Sequence, residues 1–406
     1  MTPEVYAELL QDALSLQTEL SQWRRFLHQY PELSGDENGT AAFVAGKLEE
    51  MGVEGLQTHF AGTAAVIAEI RGAHAGPTVA LRADMDALPI LEKNEFDFAS
   101  QNTGVMHACG HDAHTTVLLG AAQLLMQNRQ HLHGVVRLIF QPAEEVMDQA
   151  GAAHLVQAGV LDSPAVAAIF GLHVYPDLPV GEVATRPGPM MASADIFEIQ
   201  LHGKGTHASR PHQGIDTVLL AAEVISSLHH IVSRRIDPLH PAVLTIGRVE
   251  GGKADNVIPD RVVLGGTVRT LDPELQAQIP HLIEKTLWGL CEAYGGRFEM
   301  TYQKGTAPVH NHPEATEFCL STLRTLLGDS AVRVLPEPSM GGEDFGEYLK
   351  GVPGTFFRLG VRNQEKGITA PLHSAYFNLD EGALPIGAAA MAALALQWLA
   401  QAPAAD

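Results

Sequence analysis

Residues 78–85, TVALRADM, and 135–143, VVRLIFQPA, are short apolar, β-branched runs that close on acidic or turn-forming residues. Runs of this length and make-up read as strands buried on both faces, the kind found in parallel sheets. TAAVIAEI at 63–70 and AVAAIFGLHV at 165–174 have the same texture, and Asp112–Asn128, between two of these runs, reads as a helix. Two more helix-like segments, roughly Pro3–Tyr30 and Asn38–Met51, open the chain. Strand–helix–strand alternation predicts an α/β sandwich, with helices on both faces of a mostly parallel sheet.

The texture changes at 185–189, TRPGP, a Pro- and Gly-punctuated segment that suits a hinge. Beyond it come strand IFEIQLHG, helix Gly214–Val232, strands AVLTIGRV and VVLGGTVRTL, helix Pro273–Tyr294 and strand RFEMTYQ. That β-α-β-β-α-β order is the ferredoxin-like split arrangement. After Gly305 the first pattern returns, with helix Pro313–Leu327, strand GTFFRLG and an Ala-rich helix from Asp380. The expected organisation is one domain from 1–186 and 306–406, with a smaller domain, 187–305, inserted into it.

The 406 residues, 46% hydrophobic and 18% charged, exclude a disordered or collagen-like chain and favour two domains. Lys and Arg total 26 against 47 Asp and Glu, a net charge of −21. Such a surface repels phosphate backbones and anionic lipid, which argues against nucleic-acid or membrane-surface partners. Three cysteines cannot make a disulfide framework and suit reduced thiols in a cytoplasmic setting. No secretory pattern opens the sequence, and the longest apolar run, Ala388–Leu396, is shorter than the ~20 residues that span a bilayer.

The strongest local signal is MHACGHDAH at 106–114, which sets Cys109, His111, Asp112 and His114 at the start of a helix. Thiolate and imidazole are the usual ligands of zinc-like ions, and Cys109 and His111 can reach one ion together. The segment also reads as a nucleophilic cysteine beside a base, or as a small buried thiol. LIFQPAEE places Glu144 and Glu145 at a strand's end, on the edge where α/β sheets carry their sites. One of two adjacent carboxylates can ligate a metal while its neighbour moves a proton; a solvated pair opening a helix is the alternative. His173 in IFGLHV, Asp84 and Asp86 in RADMDALP, and His373 in PLHSAYF end or follow further runs. A shared metal site explains all five clusters together.

In order along the chain, RADMDALP, HACGHDAHT, QPAEE, GLHV, GKGTHAS, DNVIPD, GGEDF and PLHSAYF resemble the signatures of the dinuclear metal amidohydrolases. These are the aminoacylase, hippurate hydrolase and auxin-conjugate hydrolase branch of the zinc carboxypeptidase-like metallopeptidases. The resemblance runs from about Phe26 to Leu384. It implies a zinc-peptidase-like three-layer catalytic domain with an inserted ferredoxin-like lid and dimerisation domain. It also implies two divalent ions, Zn or Mn first and Co or Ni next, held by Cys109, His111, Glu145, His173 and His373. Glu144 is then the catalytic acid/base acting on a metal-activated water, and Asp86 the residue that orients a ligand. In the inserted domain, His207 of GKGTHAS matches a residue that reaches the partner subunit's site to stabilise an oxyanion. Asn256 and Arg269 match substrate contacts, Arg being suited to a planar carboxylate, and Gly341 and Gly342 line the pocket. The partners implied are a small N-acylated amino acid and a second copy of the chain, in a homodimer.

No GxGxxG follows the first strand, and no GxxxxGK[ST], GxSxG or HExxH occurs, which disfavours dehydrogenase, kinase, serine hydrolase and zincin readings. A protein that only stored metal would keep the ligands without needing Glu144. The expected activity is amide hydrolysis of N-acyl amino acids, with a dipeptide-cleaving exopeptidase or an N-carbamoyl-amino-acid hydrolase as the alternative on the same scaffold.

Overall fold

A computed structural model describes residues 2–146 and 151–401. The chain divides into two compact units, one of residues 1–188, 311–337 and 347–406, the other of residues 189–310 and 338–346.

The first unit is α/β. Its strands β1 (Glu54–Phe60), β2 (Ala65–Arg71), β3 (His74–Asp84), β4 (His133–Gln141) and β5 (Val166–Pro179) join later strands in one eight-stranded sheet. The order is β1-β2-β4-β3-β5, then Gly354–Arg362, Val183–Thr185 and Val332–Val334. β4, β3, β5 and Gly354–Arg362 are mutually parallel. They carry the apolar runs because a central parallel strand is covered on both faces. The sheet is more mixed than expected: β2 runs antiparallel to both β1 and β4, and Gly354–Arg362 antiparallel to Val183–Thr185.

Helix His111–Gln127 and helix Ala383–Gln401 are buried along most of their length and pack on one another and on β3. The second is longer than the Ala388–Leu396 run suggests. An 18-residue stretch of it, with a mean hydropathy of 1.6, is apolar enough to cross a membrane, but 78% of that stretch is buried within the unit. The opening helical stretch breaks at Leu16 into Pro3–Ser15 and Gln17–Gln29.

The second unit has a four-stranded antiparallel sheet of Ala194–His202, Ala242–Gly251, Arg261–Thr270 and Arg297–Thr306. Numbered by sequence, the spatial order is second, third, first, fourth, the ferredoxin-like arrangement. Helices Thr217–Arg235 and Pro273–Tyr294 supply the apolar side chains that meet the sheet. The side chains of Asp216 and Asp272 cap their first turns. The unit reaches beyond 187–305, because residues 338–346 dock on it. Ala192 N–H donates to Gly341 O at 3.0 Å and Ser339 N–H to Met190 O at 2.9 Å.

Candidate metal centre

Strands β3 and β4 of the first unit put their carboxyl ends at one level. Asp84, the last residue of β3, lies opposite Gln141, the last of β4. His173 sits level with them, since Arg82 pairs with Gly171 two residues earlier. His173 is not a strand-end residue, as the sequence suggested: β5 continues to Pro179, still paired with Gly354–Arg362. Cys109 and His111 arrive from the other side, at the start of helix His111–Gln127. Gly110 between them has φ +89° and lies so close to β5 that a Cβ would stand 2.4 Å from Val174 Cγ2. Only glycine fits there. His373 comes in on a loop whose backbone N–H donates to Ala108 O at 2.8 Å.

These elements bring the expected residues of the first unit together. Donor atoms of Cys109, His111 and His173 lie within 4.8 Å of one another, as do those of Cys109, Glu145 and His373, and those of His111, Glu144 and Glu145. Cys109 Sγ is 3.3 Å from His173 Nε2, and Glu145 Oε1 is 3.5 Å from His373 Nε2 and 3.9 Å from His111 Nε2. Two ligands on one tetrahedral zinc-sized ion stand roughly 3.4–3.6 Å apart, so the spacings suit shared ions.

Ring orientations agree. His173 Nδ1–H donates to Val174 O at 2.6 Å, leaving Nε2 as an acceptor that faces the thiol. His111 Nδ1–H donates to Asp86 Oδ1 at 3.0 Å. Asp86 thus orients a ligand candidate, as metal-site carboxylates commonly do. His111 Nε2 and Glu145 Oε1 are buried with no hydrogen-bond partner among the described residues. Buried polar atoms seldom stay unpaired; a cation between them would satisfy both.

The electrostatics point the same way. Burial disfavours the His111 imidazolium, but Asp84, Asp86 and Glu145 outweigh it and hold its pKa up at about 10. A field that binds a proton so tightly also draws a metal cation to the same lone pair. Burial raises the Cys109 thiol pKa well above its usual value, with Glu145, Glu144 and Asp84 adding to the rise. Burial also pushes His173 well below its usual value, with His114 adding to the fall. Both shifts oppose the thiolate–imidazolium pair that a nucleophilic cysteine needs. A bound cation reverses the thiol's shift, because coordination deprotonates it.

The other polar residues of CGHDAH brace the site. Asp112 is fully buried against Arg24 Nε at 2.8 Å and His28 Nδ1 at 2.8 Å. His114 Nε2 accepts the Val174 N–H at 2.8 Å, so its proton is on Nδ1, facing Asp84. Sequence reasoning missed Arg24, His28, Ser34 and Glu37. Only pairing across the fold reveals them, and no local motif marks them.

In the second unit, His207 is exposed in a two-residue strand paired with Val257–Ile258. Its Nδ1 accepts from Ser209 N at 3.1 Å, and the Ala208 N–H donates to Asn256 O at 3.0 Å, which sets His207 and exposed Asn256 side by side. Arg269 donates to Met340 O at 3.2 Å. A Cβ on Gly342 would stand 3.0 Å from Ala194 Cβ and 3.6 Å from Arg269 Nη1, so this glycine keeps room beside the guanidinium. Cys291 and Cys319 are buried and unpaired, one in each unit's core.

The chain is similar to known proteins over most of its length. Residues 80–397 match the model of peptidase family M20/M25/M40. Thermostable carboxypeptidase 1 of Saccharolobus solfataricus is 40% identical over 401 residues, 97% of this chain and 99% of its own. The N-acetyl-L-cysteine deacetylase of Bacillus subtilis is 42% identical over 371 residues, 91% of this chain and 86% of its own. A solved Bacillus subtilis structure, described as a dinuclear metal binding peptidase from the M20 family, superposes with a TM-score of 0.82. It is 39% identical and covers 95% of this chain and 99% of its own. The chain belongs to peptidase family M20/M25/M40. Within that family it is a metal-dependent amidohydrolase.

Proposed function

We propose that the enzyme hydrolyses the amide bond of N-acyl amino acids, using two divalent ions held by Cys109, His111, Glu145, His173 and His373. The observation that carries this reading is a pair of buried atoms, His111 Nε2 and Glu145 Oε1, that have no hydrogen-bond partner among the described residues and lie inside a cluster of S, N and O donors. That mixed donor set suits zinc or manganese, with cobalt or nickel next. Bound there, the ions supply Lewis acidity that polarises the amide carbonyl and acidifies water. Glu144 offers an oxygen within 4.8 Å of the donor atoms of His111 and Glu145. It takes one proton from the attacking water and delivers it to the departing amine nitrogen. The acyl carbon gains the hydroxyl, and the Glu144 carboxylate is regenerated. Asp86 keeps the His111 ring turned so that Nε2 faces inward.

In the same reading Arg269 and Asn256 bind the amino-acid portion, Gly342 leaves space for it, and His207 stabilises the oxyanion in the partner subunit of a homodimer. Three buried thiols suit the reducing cytoplasm. A second reading, cleavage of a C-terminal residue from a peptide, is favoured by the identity with a carboxypeptidase.

Chelation followed by dialysis is expected to abolish turnover, and zinc, manganese, cobalt or nickel to restore it. A panel of N-acetyl amino acids, N-benzoyl amino acids and dipeptides separates the two readings. Undiminished turnover in protein shown by elemental analysis to be metal-free ends the proposal.

A further inference from the structure

Residues 31–38, PELSGDEN, supply no ligand to the cluster, yet the Glu37 side chain reaches the turn that carries Glu144 and Glu145, and the Ser34 side chain reaches Asp86, which bonds the same turn. Glu37 is fully buried, and its Oε1 accepts the Ala143 N–H at 2.7 Å. Its other oxygen is buried with no partner among the described residues. Ser34 donates to Asp86 Oδ2 at 2.6 Å, and the same oxygen accepts the Glu145 N–H at 3.0 Å. The backbone on either side of Glu144 is therefore held by a buried carboxylate, Glu37 before it and Asp86 after it.

The turn needs holding. Ala143 has φ +54°, a left-handed conformation that costs a residue with a side chain on the order of 1–2 kcal/mol. A carboxylate is also a costly group to bury: burial raises the Glu37 carboxyl to about 7, with Asp86 adding to the rise and the amides around it opposing. A leucine would be cheaper to bury but would leave the Ala143 N–H unsatisfied.

We propose that Glu37 is a positioning residue for Glu144, its buried carboxylate fixing the Ala143 amide so that the Glu144 side chain is presented at the reacting atoms. This rests on the reading of Glu144 as the acid/base. Misplacement of a catalytic group by about 1 Å can cost on the order of 10²-fold in rate.

The test compares Glu37→Leu, Glu37→Gln and Glu144→Gln in the metal-loaded enzyme, reading kcat, KM, metal content by elemental analysis and melting temperature. Glu37→Leu is expected to lower kcat by roughly 10- to 100-fold, with KM and metal content close to wild type. Glu37→Gln, whose carbonyl still accepts the Ala143 N–H, recovers most of that loss. Wild-type kcat in Glu37→Leu overturns the inference, as does a loss in Glu37→Gln equal to that in Glu37→Leu. A loss of metal in step with activity also overturns it, since Glu37 would then act through the ligands. If Glu37→Leu does not fold, Glu37→Asp replaces it: one methylene shorter, it keeps the charge but loses the reach, and the same fall in kcat is required. Full activity in Glu144→Gln sinks the reading of Glu144 itself. An inactive Glu144→Gln beside a fully active Glu37→Leu sinks only the role of Glu37.

Discussion

Glu37→Gln has a second consequence, in stability, with a magnitude set by the carboxyl's surroundings. The group titrates at about 7 in the folded chain against an ordinary 4.5. At about 1.4 kcal/mol per pH unit, that gap is worth about 3 kcal/mol. The sign follows from proton counting. Between pH 4.5 and about 7 the folded state holds a proton that the unfolded state has released, so stability falls as pH rises through this window. Above it the full loss is present. Glutamine has the shape of the protonated carboxyl and does not titrate, so the loss disappears. With 0% exposure at Glu37, solvent does not screen the effect. Wild type and Glu37→Gln should melt close together near about pH 4 and diverge by up to about 3 kcal/mol in favour of glutamine by about pH 8. For a unit of this size that is roughly 5–10 °C. Side-by-side calorimetry at matched metal load checks it, and metal release at low pH, common to both proteins, cancels in the difference. A gap that stays constant with pH, or that widens in favour of glutamate, refutes the reasoning.

Three further outcomes bear on the site. Glu145→Gln and Cys109→Ser should each lower metal occupancy in elemental analysis, because each removes an anionic ligand candidate, whereas Glu144→Gln should keep the metal and lose on the order of 10²–10⁴-fold in kcat. If Glu144→Gln loses the metal and Glu145→Gln keeps it, ligand and base have been exchanged. For His207, inactive His207→Ala mixed with inactive Glu144→Gln under subunit exchange should regain up to about half the native activity per mixed dimer, as expected if the residue serves the partner's site. No recovery despite demonstrated exchange rules out action across subunits.

How much of this was legible in the sequence depends on the distance over which each residue acts. The parallel strands could be read because burial on both faces leaves a continuous apolar run, as in TVALRADM, and α/β architecture follows from such runs alternating with helices. The mixed character of the sheet could not, since β2 has the same buried composition as its parallel neighbours but runs antiparallel to both of its partners. The candidate ligands stood out because Cys, His and Glu are unusual closing a buried run. His173 was misjudged only in its setting: the sequence marks where the apolar stretch meets a polar residue, not where the hydrogen-bonded ladder stops.

The supporting residues are a different case. CGHDAH sets four candidate ligands side by side, and the chain's own spacing cannot say that Asp112 faces Arg24 and His28 while His114 is spent on the Val174 amide. Those assignments depend on partners 60 or more residues away. Glu37 is further removed, acting on a backbone amide 106 residues along the chain, and a backbone amide has no sequence signature. What such residues share is the energetic cost of burying a charged or polar side chain, much of it offset by partners that only the fold brings near. The cost itself is the mark by which they can be found once the structure is known, and at Glu37 it points directly at the turn that carries the proposed base.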